Sequence, residues 1–110
     1  MAVGVDPFRS SRSRGRQGQV DDRDGLAHAS ALDLGAYGIT VNCIAPGPFL
    51  TELPGRLLSA QEKSDFAKRT ALGRWGDPKE LMGPALLLAS DAGSYITGTT
   101  LVVDGGYLAR

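Results

Sequence analysis

Between Leu26 and Gly106 the apolar positions fall into segments whose spacing alternates between helical and strand-like. Leu26, Ala27, Ala29, Leu32 and Leu34 lie in a run of good helix formers that stops at Gly35, which predicts a helix. Ile39 to Ala45 follows as a nearly unbroken β-branched and apolar run, the pattern of a strand covered on both faces, and Pro46-Gly47-Pro48 ends it. Residues 49–56 are then assigned to a loop. Ser59 with Glu62 three positions later has capping-box spacing and predicts a short, mainly polar helix to about Thr70, with Phe66 and Ala67 as its few core candidates. Asp77-Pro78-Lys79-Glu80 joins an N-cap aspartate, a proline at the first helical position and a glutamate at the third, so a helix is expected from there to about Ser90. Its interior, Leu81, Met82, Ala85, Leu86, Leu87, Leu88 and Ala89, is apolar on more than one side and should be buried against a sheet and a second surface, for which another subunit is a candidate. After the turn-rich Asp91–Ser94, Thr99–Val103 reads as a second strand closed by Asp104-Gly105-Gly106.

Helix, strand, helices and strand in this order predict an α/β fold with parallel strands, and two strands are too few to complete such a sheet. The chain's 110 residues, 42% of them hydrophobic, allow one small domain with a modest core. Met1 to about Gly25 lacks either periodicity. Its run Arg9-Ser10-Ser11-Arg12-Ser13-Arg14-Gly15-Arg16 is polar, basic and low in complexity, so this segment is expected to be disordered. The run could neutralise phosphates, but no aromatic residue follows Phe8 within it to stack on bases, which argues against nucleic acid as a partner.

Charge and cysteine content narrow the picture further. Twelve basic residues balance twelve acidic ones, although five of the nine arginines lie before residue 24, so the chain as a whole has no pull toward an anionic membrane or nucleic acid. The lone Cys43 excludes an intramolecular disulfide and cannot by itself build a structural metal site; no metal ligands are assigned. No apolar stretch nears the ~20 residues that cross a bilayer, and the N-terminal arginines are not followed by an apolar run, so a cytoplasmic protein is expected.

Four stretches then carry a family resemblance. They are Gly38-Ile39-Thr40-Val41-Asn42 leading into Ala45-Pro46-Gly47, Thr51 four residues after Gly47, Leu72–Glu80, and Ile96-Thr97-Gly98 running to Val102–Gly106. In this order and spacing, residues 26–110 resemble the C-terminal part of the short-chain dehydrogenase/reductases. The resemblance implies a Rossmann-type doubly wound parallel sheet, represented here by two strands and three to four helices. It also implies an NAD(P)-dependent oxidoreductase that interconverts a ketone and an alcohol. The family's pattern places Pro46 and Gly47 beside the nicotinamide ring, offers Phe49 backbone groups to the carboxamide, and has the Thr51 hydroxyl hydrogen-bond it. A plain strand-ending turn is the alternative reading of Pro46 and Gly47. Thr51 to Thr70 resembles the substrate lid, with Glu52, Leu53, Leu57 and Phe66 as its candidate contacts.

Phe49–Leu53 and Leu72–Gly76 look like members that reduce 3-oxoacyl thioesters on acyl carrier protein or that oxidise sugars and sugar acids such as gluconate. Both subgroups share these patterns, so a small-molecule carbonyl or alcohol is the expected substrate class, with the acyl reductase preferred only because its label is the commonest. Either NAD or NADP is the expected cofactor, because the family's residues that choose between them fall outside the matched region. The resemblance further implies a homo-oligomer joined through Lys79–Ala89 and Thr99–Val103.

Two family motifs have no counterpart in this sequence. No glycines have the spacing of the Thr-Gly-x-x-x-Gly-x-Gly turn that receives the pyrophosphate. Nor does a tyrosine have its lysine four residues on, since Tyr37 is followed by Val41, Tyr95 by Thr99, and Tyr107 lies near the end. No catalytic residue is assigned; Lys63, Lys68 and Lys79 read as surface lysines and His28 as an exposed helical residue. The expectation is a fragment inactive alone, with residues 1–25 an aberrant segment such as a frameshift or misassigned start produces. The alternative is a non-catalytic interaction module that pairs with a full-length relative.

Overall fold

The computed structural model describes residues 22–109, and for Asp22, Arg23 and Asp24 the backbone only. Helix α1 (Asp22–Gly35) precedes strand β1 (Cys43–Pro46), helices α2 (Glu52–Leu57) and α3 (Ala60–Lys68), helix α4 (Met82–Ala89) and strand β2 (Thr100–Val103). A 3-10 turn at Pro78–Leu81 leads into α4, and another at Asp91–Gly93 follows it. α1 starts at Asp22, before the predicted boundary near Gly25; the basic run at Arg9–Arg16 lies outside the described residues.

β1 and β2 pair in parallel, Cys43 opposite Thr100 and Pro46 opposite Val103. The ladder is shorter than the apolar run that predicted it, because Thr40–Asn42 meet Ile96–Thr99 through side chains as well as backbone. Gly98 N–H donates to the Val41 carbonyl at 2.7 Å, while Val41 N–H donates to Thr97 Oγ1 at 3.0 Å. Asn42, 2% exposed, donates through Nδ2 to the Ile96 carbonyl at 2.9 Å and accepts from Thr99 N–H at 3.2 Å. Its amide therefore replaces two ladder bonds and satisfies backbone groups that burial would otherwise orphan.

α1 packs on β1 through Ala27 and Ala31, one turn apart and both buried, whereas Leu26 and Leu32 are 65% and 83% exposed. Small side chains let the helix sit close to the strand, and Gly98 reaches Ala31 at the contact. Val41, Cys43, Ile44 and Leu88 complete the buried apolar set. Within α4 only Leu88 is buried, and Met82 and Leu86 are more than half exposed. The expected two-sided burial of this helix is not met among the described residues, where Leu88 alone of α4 is buried and the sheet has two strands.

Two helix assignments also change. Residues 49–56, assigned to loop, hold all of α2 but Leu57, and Pro54 falls in its first turn, where its missing N–H costs no helical bond. The helix predicted as continuous from Asp77 to Ser90 is instead a 3-10 turn joined to α4, with Met82 N–H bonded to the Lys79 carbonyl. Pro84 explains the switch, since it cannot donate the bond to the Glu80 carbonyl that an unbroken α-helix needs. The capping boxes at Ser59/Glu62 and Asp77/Glu80 form as predicted.

Candidate functional site

β1 delivers its carboxyl end, Pro46 and Gly47, to a corner where the chain meets the end of β2. Gly47 N–H donates to the Val103 carbonyl at 2.9 Å, and a Cβ on Gly47 would lie 2.5 Å from Asp104 Cβ and 2.6 Å from its Cα. Glycine is thus required at position 47 by the neighbouring strand end, whatever else approaches it. Asp104 fixes the corner by accepting from Gly106 N–H at 2.7 Å and Leu108 N–H at 2.9 Å. Gly105 and Gly106 both have positive φ, and a Cβ at Gly106 would meet that of Ala71 at 2.5 Å. Leu72 N–H donates to the Gly105 carbonyl, so the turn after α3 is pinned to the same corner.

From that corner Phe49 packs its ring over Gly76, where a Cβ would lie 2.6 Å from Phe49 Cε1. Leu50 N–H donates to the Gly76 carbonyl, and Gly76 N–H to that of Pro48. Phe49 N–H has no acceptor among the described residues. Two residues on, Thr51 is the N-cap of α2, with extended backbone, yet its hydroxyl makes no capping bond and has no other partner among the described residues. A threonine at an N-cap ordinarily spends its oxygen on the helix; here that oxygen is exposed and unspent.

Of the lid candidates, Glu52, Leu53 and Leu57 are exposed on α2. Phe66 has a different place: its ring is half-buried against Trp75, centroids 5.5 Å apart, with the Arg69 guanidinium 5.9 Å above its centre. These contacts tie α3 to the Leu72–Glu80 stretch. Phe49, Gly76, Val103 and Gly105 border a cleft of about 110 Å³. That is well below the roughly 300–1,000 Å³ of sites that enclose small molecules, so it is a seam between segments and not a ligand pocket.

The Leu72–Glu80 stretch works as a clamp. Arg74 donates to both oxygens of Glu80, at 2.8 and 2.6 Å, and Glu80 also accepts from Asp77 N–H at 2.8 Å. The Arg74 bonds first, and then the Asp77 amide, push the Glu80 carboxyl down to about 2, and Glu80 in turn raises Arg74. Likewise the Ser59 backbone N–H and hydroxyl lower Glu62. Thr70, 2% exposed, bonds the Ala67 and Arg74 carbonyls and accepts from Arg74 N–H. Lys63, read from the sequence as a surface lysine, is half-buried and donates to the Gly55 carbonyl at 2.7 Å. His28 is exposed on α1, as expected. Sequence reasoning gave no site role to Lys63, Trp75 or Asp104; the single tryptophan in a polar stretch was a signal for the second of these.

Among the described residues no three His, Cys, Asp or Glu side chains could hold a metal ion, and no helix is long and apolar enough to cross a membrane.

Residues 23–108 match the family model described as enoyl-(acyl carrier protein) reductase, which spans most of this chain. The chain belongs to the short-chain dehydrogenase/reductase family. It is 46% identical over 86 residues to an L-rhamnose 1-dehydrogenase (NADP(+)) of Thermoplasma acidophilum, covering 77% of this chain and 34% of that protein. It is 45% identical over 82 residues to a gluconate 5-dehydrogenase of Gluconobacter oxydans, covering 74% of this chain and 32% of that one. A short-chain dehydrogenase of Leptospira borgpetersenii, solved with bound NAD+, superposes with a TM-score of 0.68 at 33% identity, over 76% of this chain and 31% of its own. The chain therefore spans about a third of the length of the curated relatives it matches. The α/β fold with parallel strands, anticipated as part of a Rossmann-type sheet, is the one this family uses.

Proposed function

We propose that residues 26–110 form the nicotinamide-facing end and substrate loop of an NAD(P)-dependent dehydrogenase that oxidises a sugar or sugar acid. The observation that carries this reading is Thr51, an N-cap residue whose hydroxyl is left uncommitted just beyond the carboxyl end of β1. Open α/β sheets bind ligands at that end of their strands. Pro46 and Gly47 would border the nicotinamide ring, while the Phe49 N–H and Thr51 hydroxyl, both without partners among the described residues, would hold its carboxamide. The bound nicotinamide supplies the hydride acceptor or donor. This chain's part is to orient the ring and shape the substrate side through Glu52, Leu53 and Leu57; the proton relay and pyrophosphate site come from residues other than these. Sugar chemistry is favoured over 3-oxoacyl thioesters because L-rhamnose and gluconate dehydrogenases are among its relatives at 45–46% identity.

A chimera tests the reading: residues 26–110 replace the matching C-terminal third of the Gluconobacter gluconate 5-dehydrogenase. The chimera should reduce NAD+ or NADP+ with gluconate or L-rhamnose, and Thr51→Val should raise the cofactor KM about tenfold, the effect of losing one useful hydrogen bond. A folded chimera that turns over neither sugar sinks the substrate assignment, and turnover of a 3-oxoacyl thioester instead would replace it.

A second reading, an interaction module that pairs with a full-length relative, draws on the exposed Met82, Leu86 and Leu87 of α4 and Val102 of β2. The same surfaces would serve a homo-oligomer of the whole enzyme in the cytoplasm. Retention of the tagged chain by a full-length dehydrogenase, lost on Leu86→Glu, supports pairing; no retention excludes it.

A further inference from the structure

The α2–α3 segment carries Thr51 at its entrance, yet neither helix buries a single residue. Something other than a core must hold it in place. Two polar links do so in series. Trp75 Nε1–H donates to the Lys63 carbonyl in α3 at 2.8 Å, and the Trp75 ring lies against Phe66 of the same helix. The Lys63 side chain then crosses to α2, donating from Nζ to the Gly55 carbonyl at 2.7 Å. Gly55 N–H, in turn, donates to the Thr51 carbonyl at 3.0 Å. Trp75 itself belongs to the clamped stretch joined to the end of β2 through Leu72 and to the segment after β1 through Gly76.

From this chain of bonds we infer that Lys63 and Trp75 are positioning residues, which set where α2 and Thr51 stand relative to the end of β1. The inference rests on the proposed role of Thr51. The chemistry suits the task. Gly55 offers one of the last four carbonyls of a six-residue helix, which have no intrahelical donor, and a cation is favoured at that end. An indole N–H, donor only, locks α3 in one orientation beneath it. Without the ammonium, α2 keeps its own short-range backbone bonds and the exposed Glu52–Arg56 pair at 3.8 Å, which are weak support for a helix this short.

Amide hydrogen exchange on the full chain tests this without turnover, so its failure is distinct from failure of the dehydrogenase reading. Lys63→Met should speed exchange in residues 52–57 about fivefold or more while residues 22–35 keep their wild-type rate. Lys63→Arg, which retains a charged donor, should restore the slow rate. Trp75→Phe keeps an aromatic ring against Phe66 but loses the indole donor, and should speed exchange in both 52–57 and 60–68. Wild-type rates in 52–57 for Lys63→Met overturn the inference, as does equal acceleration throughout the chain or a failure of arginine to restore protection. In the chimera, Lys63→Met should raise the cofactor KM severalfold with kcat little changed; a fall in kcat alone overturns the positioning role.

Discussion

The β1–β2 corner and the α2–α3 hairpin lie next to each other in the site but are held by opposite means. At the corner, backbones touch: a Cβ added to Gly47 or Gly106 would collide with neighbouring atoms at 2.5 Å. In the hairpin, Gly55 has nothing within 4 Å of where its Cβ would be, and the helices depend on caps and two long side chains. Close packing resists change everywhere at once, whereas a few polar tethers allow the residues between them to vary. A site that must present one fixed face and one adjustable face is served by that division.

The largest expected effect comes from putting the same methyl group into both regions. Gly47→Ala should destabilise by about 3 kcal/mol, because Asp104 backbone cannot move aside without unpairing the strand ends. Gly55→Ala should be neutral or stabilise by about 0.4–1 kcal/mol, since the helix accepts alanine and the unfolded chain loses freedom. Urea denaturation followed by the emission of Trp75, the single tryptophan, reads both. Equal effects at the two positions would erase the contrast.

Asn42→Ala should follow, costing about 1–3 kcal/mol by orphaning the Ile96 carbonyl and Thr99 N–H in a buried seam. The same denaturation series measures it, and a change below 0.5 kcal/mol would mean that water replaces the amide there.

A smaller effect links the two regions through Glu80. Its carboxyl, ordinarily near 4.5, is pushed down to about 2 in the folded chain. A depressed carboxylate contributes stability that is fully present above its unfolded value and is lost as pH falls through the folded one. Stability should therefore decline between pH 4.5 and about 2, and Glu80→Gln should flatten that part of the profile. The carboxylate is exposed, so the change is modest. An acid titration of the two proteins that stays parallel through this window would remove Glu80 from the clamp. Least of all, Arg56→Ala should leave stability within ~0.5 kcal/mol, the range of an exposed helical ion pair, as thermal melting can check.

Much of this was legible beforehand where a local rule decides. Both capping boxes, the strand-ending Pro46-Gly47-Pro48 and the family-like spacing from Gly38 to Gly106 needed only neighbours in sequence. Pro84, also local, was missed as a helix interruption because apolar periodicity ran straight through it. The pairing of Phe66 with Trp75 was not legible, since Trp75 lies beyond the helix and only folding brings the rings together. Lys63 carried no signal at all: a lysine on a polar helix looks the same whether it faces water or a carbonyl.

The sequence by itself determined α1, the two strands, the two capping boxes and membership in a family, because these depend on spacing and on residues a few positions apart. Only the tertiary structure decided why Gly47 must be glycine, what Asn42 replaces in the ladder, and how α2 is held. Each of those rests on groups as far apart as Asn42 and Thr99, or Gly47 and Asp104, whose contacts no local pattern records.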